Sequence, residues 1–265
     1  WRSPRWRRRG LSPKKRREPV EGVLFDYGNT LVTFRRPDAA LERAYGDIEQ
    51  LLRRSDLAPP DAAVLLREVH DRVELEFAEH QRSGTLEEID LVAAARRAYA
   101  DLGLRLDDEA LDELLRMEQE AWWEGVSVDP DAAPTLELLR SKGLRVGLCS
   151  NAPYRVRSMH EQLAHFGLDR HLDSVTFSGA VGWRKPSPRI FDVAAEALGV
   201  SRGRTVMIGD SLHDDVDGAR AAGMRAVLLV RDGSRAPAEG VAVVNEGDTV
   251  SVVSALSEIA AVVLR

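Results

Sequence analysis

Val23-Leu24-Phe25-Asp26-Tyr27-Gly28-Asn29-Thr30-Leu31 is the stretch from which the rest of the chain can be read. Three apolar residues run into a carboxylate, then into Gly and Asn. That pattern is a buried strand whose C-terminal end opens into a loop. In open α/β sheets this edge is where ligands bind, which would place Asp26 at a reaction centre. Asp also ends many strands simply by bonding to its own turn. Partners elsewhere in the chain must separate the two readings.

After Asp26 the strand signal does not resume for more than a hundred residues, and the intervening chain reads as helices of 3.6-residue periodicity. The segments are Asp38 to Arg54, Pro60 to Arg82, Leu86 to Leu102 and Asp107 to Trp123, separated by Pro59-Pro60, Ser83-Gly84 and Gly103. They are expected to form a small helical bundle. Its Glu-rich face, with Glu68, Glu74, Glu76 and Glu79, reads as solvated surface. Trp122 and Trp123 read as packing residues.

From about Asp131 helices and strands alternate, which implies a parallel sheet covered on both faces. Strands are expected at Leu144 to Cys149, Ser174 to Phe177, Thr205 to Ile208, Ala226 to Val230 and Val241 to Val244. Helices are expected at Ala132 to Lys142, Tyr154 to Phe166, Pro188 to Leu198, Asp215 to Ala222 and Thr249 to Val263.

Three loops after these strands carry polar groups suited to an anion. In Cys149-Ser150-Asn151 a hydroxyl and an amide can donate to a phosphoryl oxygen, although Ser-Asn is also a common helix start. In Arg184-Lys185-Pro186-Ser187-Pro188 the lysine is informative: the chain uses Arg 33 times and Lys four times, so a compact ammonium is specified here. In Gly209-Asp210-Ser211-Leu212-His213-Asp214-Asp215 carboxylates crowd a strand end. Oxygen donors of this kind suit magnesium, with Asp210 as direct ligand and Asp215 behind it. Asp214 or Asp217 reads as a helix cap, and His213 as a loop residue.

Composition excludes other classes. With 265 residues and 44% apolar content the chain can bury a real core, and its apolar runs fall well short of the ~20 residues of a membrane span. A single cysteine, Cys149, rules out an internal disulfide and a cysteine zinc site; it reads as a core residue and suits a cytoplasmic setting. Residues 1–18 carry nine Arg/Lys and one Glu, which leaves the body at −14 out of a total of −6. The tail lacks an apolar stretch and does not read as a secretory signal; it is either a solvated, disordered arm or a polyanion-binding one. The acidic body makes nucleic acid an unsuitable main partner.

The order Asp26, Ser150, Lys185, Asp210, with Lys185-Pro186-x-Pro188-x-Ile190-Phe191 and Gly209-Asp210-Ser211-x-x-x-Asp215-Val216-x-Gly218-Ala219, resembles the haloacid dehalogenase-like hydrolase superfamily. The resemblance covers nearly the whole chain after residue 20. It implies an α/β fold: a Rossmann-like parallel core in three α/β/α layers, residues 20–34 and 128–265, with a helical cap of the first type (C1) over residues 35–127. Residues 1–19 would be the basic tail. It also implies that Asp26 attacks phosphorus to form an aspartyl-phosphate. Magnesium (Mg2+) would be held by Asp26, the Gly28 carbonyl and Asp210 with support from Asp215. Ser150, Asn151 and Lys185 would hold the phosphoryl group of a small phosphorylated metabolite.

One position departs from the family pattern. Phosphatases of the family carry a second Asp two residues after the nucleophile, as general acid and base; here it is Gly28. Loss of such a group costs ~10²- to 10⁴-fold. A cap carboxylate or a histidine such as His70 or His80 could replace it, or the protein could bind phospholigands or a partner with little turnover. A Schiff-base phosphonoacetaldehyde hydrolase would need a lysine in the insertion, and residues 35–130 have none. A 2-haloacid dehalogenase would need no metal and would generally lack the Gly-Asp-Ser motif present here.

Overall fold

The computed structural model describes residues 18–231, 244–245 and 248–264. The basic tail through residue 17 and positions 241–243 of the expected last strand lie outside the described residues.

Strand β1 (Gly22–Phe25) is buried along its whole length. It is apolar on both pleats, as a strand covered on both faces must be. A tight turn follows, in which the Tyr27 carbonyl accepts from the amides of Leu31 and Val32 and Asn29 sits at φ 57°. The chain then forms β2 (Val32–Phe34), which pairs antiparallel with β3 (Val126–Val128). This antiparallel pair corrects the all-helical reading of the interval. Three residues are too few to establish a period of two, and the partner strand lies on the far side of the insertion.

Between β2 and β3 run α1 (Asp38–Arg54), α2 (Ala62–Leu65), a π turn at Leu66–Asp71 that continues into α3 (Arg72–Ser83), α4 (Leu91–Asp101) and α5 (Asp108–Ala121). Their inner faces share a cluster that includes Tyr45, Ile48, Leu65, Val69, Tyr99 and Leu111. Asp61, Asp90 and Asp107 cap helix starts by accepting from the amides of Val64, Ala93 and Ala110. The third expected helix therefore begins at Leu91 instead of Leu86. Leu86 to Glu88 instead runs against the loop before Lys185: Arg184 donates to the Leu86 carbonyl at 2.9 Å and Glu88 to that of Gly182 at 3.0 Å. Glu74 is also corrected, since it is half-buried and burial pushes its carboxyl up.

The remaining elements are α6 (Ala132–Ser141), β4 (Arg145–Ser150), α7 (Val156–His165), β5 (Ser174–Phe177), α8 (Ser178–Val181), α9 (Pro188–Leu198), β6 (Thr205–Gly209), α10 (Gly218–Ala221) and β7 (Arg225–Leu229). They are followed by β8 (Val244–Asn245), β9 (Asp248–Thr249), β10 (Ser251–Val253) and α11 (Ile259–Val263). Six strands make a parallel sheet in the order β10-β7-β6-β1-β4-β5. One apolar cluster, with Val23, Phe25 and Leu148, packs under α6, α7 and α11; the other, with Leu24, Met207 and Phe191, packs under α9 and α10. The result is the expected three-layer, Rossmann-like α/β fold with β1 inside the sheet.

The helix expected over Thr249 to Val263 is replaced in its first half by β10. Val250, Val252 and Val253 are β-branched and take the edge position beside β7. Among the described residues no helix is long and apolar enough to cross a membrane.

Candidate active site

Phe25 stands in register with Leu148 on one side and Ile208 on the other, so β1, β4 and β6 end at the same level. The Asp26 amide extends the ladder by donating to the Ile208 carbonyl at 2.8 Å. Asp26, Ser150 and Asp210 therefore come from neighbouring strand ends. They sit on the two sides of the point where the chain reverses its winding direction.

Lys185 reaches this point from the loop between α8 and α9. Ser187 caps α9 and Pro188 occupies its first turn. Asn151 clamps the loop: its Oδ1 accepts from the Lys185 amide at 2.7 Å and its Nδ2 donates to the Lys185 carbonyl at 3.2 Å. The Lys185 ammonium donates to Asp26 Oδ1 at 2.7 Å and to Asp215 Oδ1 at 2.5 Å. Ser150 Oγ donates to the same Asp26 oxygen at 2.9 Å. Burial pulls the Lys185 ammonium down, but Asp215 and Asp26 more than offset it, and its pKa is raised overall.

Asp215 lies in a π turn, Leu212–Asp217, that begins at Ser211. Ser211 Oγ accepts from the Asp214 amide at 3.0 Å, so Ser211 is the cap that the sequence reading gave to Asp214 or Asp217. The Ser211 amide in turn donates to Asp215 Oδ2 at 3.0 Å. A Cβ at Gly209 would fall 2.1 Å from Asp215 Oδ2, so only glycine leaves room for this carboxylate. Burial raises the Asp215 pKa; Lys185 opposes the shift and the Asp26 charge adds to it.

Asp210 is the exposed member of the acidic group. Desolvation and the Asp26 charge push its carboxyl up. One carboxylate oxygen from each of Asp26, Asp210 and Asp215 lies within 4.8 Å of the others. The donors are all oxygen and all acidic, which fits a hard divalent cation such as magnesium. Both Asp215 oxygens already accept bonds from protein, so it is suited to a supporting place behind Asp26 and Asp210. His213 points away to solvent and pairs with Asp214. Cys149 is buried, and burial pushes its thiol up to about 12, which leaves it inert as a core residue.

A cavity of about 400 Å³ opens between the helical insert and the sheet edge. Gly28, Asn29 and Asn151, which flank Asp26 and Ser150, line one side of it, and Trp122 and Trp123 line the other. The two tryptophans pack against neighbouring rings, Trp122 beside His70 and Trp123 beside His165, and also line this cavity. Phe34, Phe77 and Tyr154 also line the cavity, and nothing in the sequence marked them out. His70 and His80 do not line it. His70 Nδ1 bonds Glu118 at 2.8 Å within the insert, and His80 Nε2 donates to the Glu87 carbonyl. Tyr27 turns inward and donates to Gln162.

The sequence profile of the haloacid dehalogenase-like hydrolases matches residues 20–223. The chain is 42% identical over 130 residues to Phosphatase MT3486 of Mycobacterium tuberculosis (strain CDC 1551 / Oshkosh); the match covers 49% of this chain and only 58% of that protein. It is 30% identical over 226 residues to the phosphoglycolate phosphatase of Rhodospirillum rubrum, covering 82% of each. Among solved structures, a HAD phosphatase from Thermococcus onnurineus aligns over 92% of this chain and 97% of its own, at a TM-score of 0.57 and 26% identity. This chain belongs to the haloacid dehalogenase-like hydrolases.

Proposed function

We propose that the chain hydrolyses a small phosphate monoester by way of an aspartyl-phosphate on Asp26, with the helices between β2 and β3 acting as a cap. The observation that carries this reading is the convergence of Lys185 and Ser150 on one oxygen of Asp26. Both bonds fall on Oδ1, which leaves Oδ2 to attack phosphorus. Lys185 and Ser150 then offer donors to the phosphoryl oxygens as charge builds on them. Asp215 and Asn151 hold Lys185 in place from its two ends. Asp26, the Gly28 carbonyl and Asp210 would hold magnesium, with Asp215 in support; when bound, the ion neutralises charge between carboxylate and phosphate. Water then cleaves the aspartyl-phosphate and restores Asp26. The similarity to proteins named as phosphatases supports the same reading. The single buried cysteine suits a reducing compartment such as the cytoplasm.

The test is hydrolysis of acetyl phosphate and p-nitrophenyl phosphate, with and without magnesium, by the native chain and by Asp26→Asn. Turnover is expected to need magnesium and to fall at least ~10³-fold in the variant. Unchanged turnover would overturn the mechanism. Gly28 supports a second reading, a phospholigand-binding protein with low turnover, and kcat on acetyl phosphate separates the two. Chloride release from a 2-haloacid in EDTA would instead indicate a dehalogenase.

A further inference from the structure

Resting on the phosphohydrolase reading, we infer that the alcohol released by this site is aromatic and uncharged, so that the substrate class is an aryl phosphate monoester and not a phosphorylated carboxylate or amino acid. Two independent features lead there, the walls of the cavity and the residue at position 28.

The cavity between insert and sheet is walled by Phe34, Phe77, Trp122, Trp123, Tyr154 and Met159. Among the described residues that line it none is Asp, Glu, Lys, Arg or His; the polar ones are amides, one serine and the Tyr154 hydroxyl. A carboxylate or ammonium on the leaving group would meet no charged side chain on the described wall; Arg155, behind Ser158, is already paired with Asp112. An aromatic ring would meet aromatic faces and edges. About 400 Å³ is ample for one or two fused rings. Two wall atoms, Gln119 Oε1 and Trp123 Nε1, are buried without a hydrogen-bond partner among the described residues. An acceptor and a donor left open on an apolar wall suit a ring that carries a neutral polar substituent.

Gly28 bears on the chemistry of departure. Its backbone does not require glycine: a Cβ there would meet only Phe34, at 3.4 Å, and its φ is not in the left-handed region. The side chain of an acid is therefore absent where one could stand. With no acid at this position, and no Asp, Glu or His among the described residues lining the cavity, the leaving oxygen departs as an anion. A phenol, with a pKa near 10, does so far more readily than an alkyl alcohol, whose pKa is close to that of water, about 15.7. In the first step the bond from Asp26 oxygen to phosphorus forms and the ester P–O bond breaks, its electron pair leaving on the phenolate. In the second step water cleaves the aspartyl-phosphate, and its proton passes by way of solvent to the phenolate. The sum is ester plus water giving phenol plus phosphate.

The test compares kcat/KM for 2-naphthyl phosphate, n-butyl phosphate, 2-phosphoglycolate, O-phosphoserine and acetyl phosphate in magnesium. 2-Naphthyl phosphate is expected to exceed phosphoglycolate and phosphoserine by about 10²-fold or more. Trp123→Ala should lower the ratio of 2-naphthyl to acetyl phosphate turnover roughly tenfold. Gly28→Asp should raise turnover of n-butyl phosphate about 10²-fold and narrow its gap to the aryl ester. Tryptophan fluorescence titration with 2-naphthylphosphonate and phosphonoacetate reads the cavity without turnover, and at least about tenfold tighter binding of the aryl compound is expected. Equal or tighter binding of phosphonoacetate, or phosphoglycolate turned over as well as the aryl ester, would overturn the inference. Aryl preference in binding with no hydrolysis even of acetyl phosphate would overturn the hydrolase reading and leave the cavity assignment standing.

Discussion

Lys185 stands between two carboxylates, with Asp26 at 2.7 Å and Asp215 at 2.5 Å, and all three residues are buried. A buried cation between two buried anions is costly to remove singly, because each carboxylate left behind loses its counter-charge. Lys185→Met is expected to lower the unfolding free energy by about 3 to 5 kcal/mol, read from urea titrations at neutral pH. A loss below about 1 kcal/mol would mean that water or a cation takes over the role. Lysine at this position was legible because the chain otherwise so strongly prefers arginine. Its partners were legible as types. That one Asp26 oxygen takes both Lys185 and Ser150 was not, since the contacts span 159 and 124 residues of sequence.

At the scale of elements, the helix formed by α2, the π turn and α3 carries His70 into the interior of the insert. There the imidazole meets Glu118, whose other oxygen accepts from Tyr45 at 2.6 Å. Burial pulls the His70 pKa down, but the Glu118 bond and charge outweigh it with help from Glu74, against Arg36, so that the folded value is raised. The folded state then binds more protons than the unfolded one across this window, and stability falls as pH rises. The contribution is complete below the unfolded value of about 6.5 and is lost as pH climbs through the raised folded value. Urea midpoints of the native chain and of His70→Gln should therefore draw together from about pH 5.5 to about pH 8.5. A gap that widens would refute the assignment. The long helices were legible from periodicity and from Asp caps. The π turn and the β2–β3 pairing were not, because the first is a short departure within a helix fixed by packing and the second joins strands on opposite sides of the insert.

At the scale of the whole molecule, the acidic group gathers the ends of β1 and β6 and the turn after β6, so cation binding there is linked to global folding. Magnesium at a hundred times its dissociation constant should add about 2.7 kcal/mol to unfolding stability, and Asp210→Asn should abolish most of that gain. An unchanged urea midpoint for the native chain in magnesium would exclude the ion from this site. By itself the sequence determined the family, the alternation that makes a covered parallel sheet, and that Asp26, Ser150, Lys185, Asp210 and Asp215 stand in loops at strand ends. Such features are local: strand ends, turn residues and charge types are written in a few consecutive positions. Only the tertiary structure decided that Ser251–Val253 is an edge strand, that Trp122 and Trp123 face a cavity, and that no charged side chain among the described residues lines it. These depend on which distant surfaces meet, and the insert and the sheet edge are joined by chain far too long for spacing alone to show what faces what.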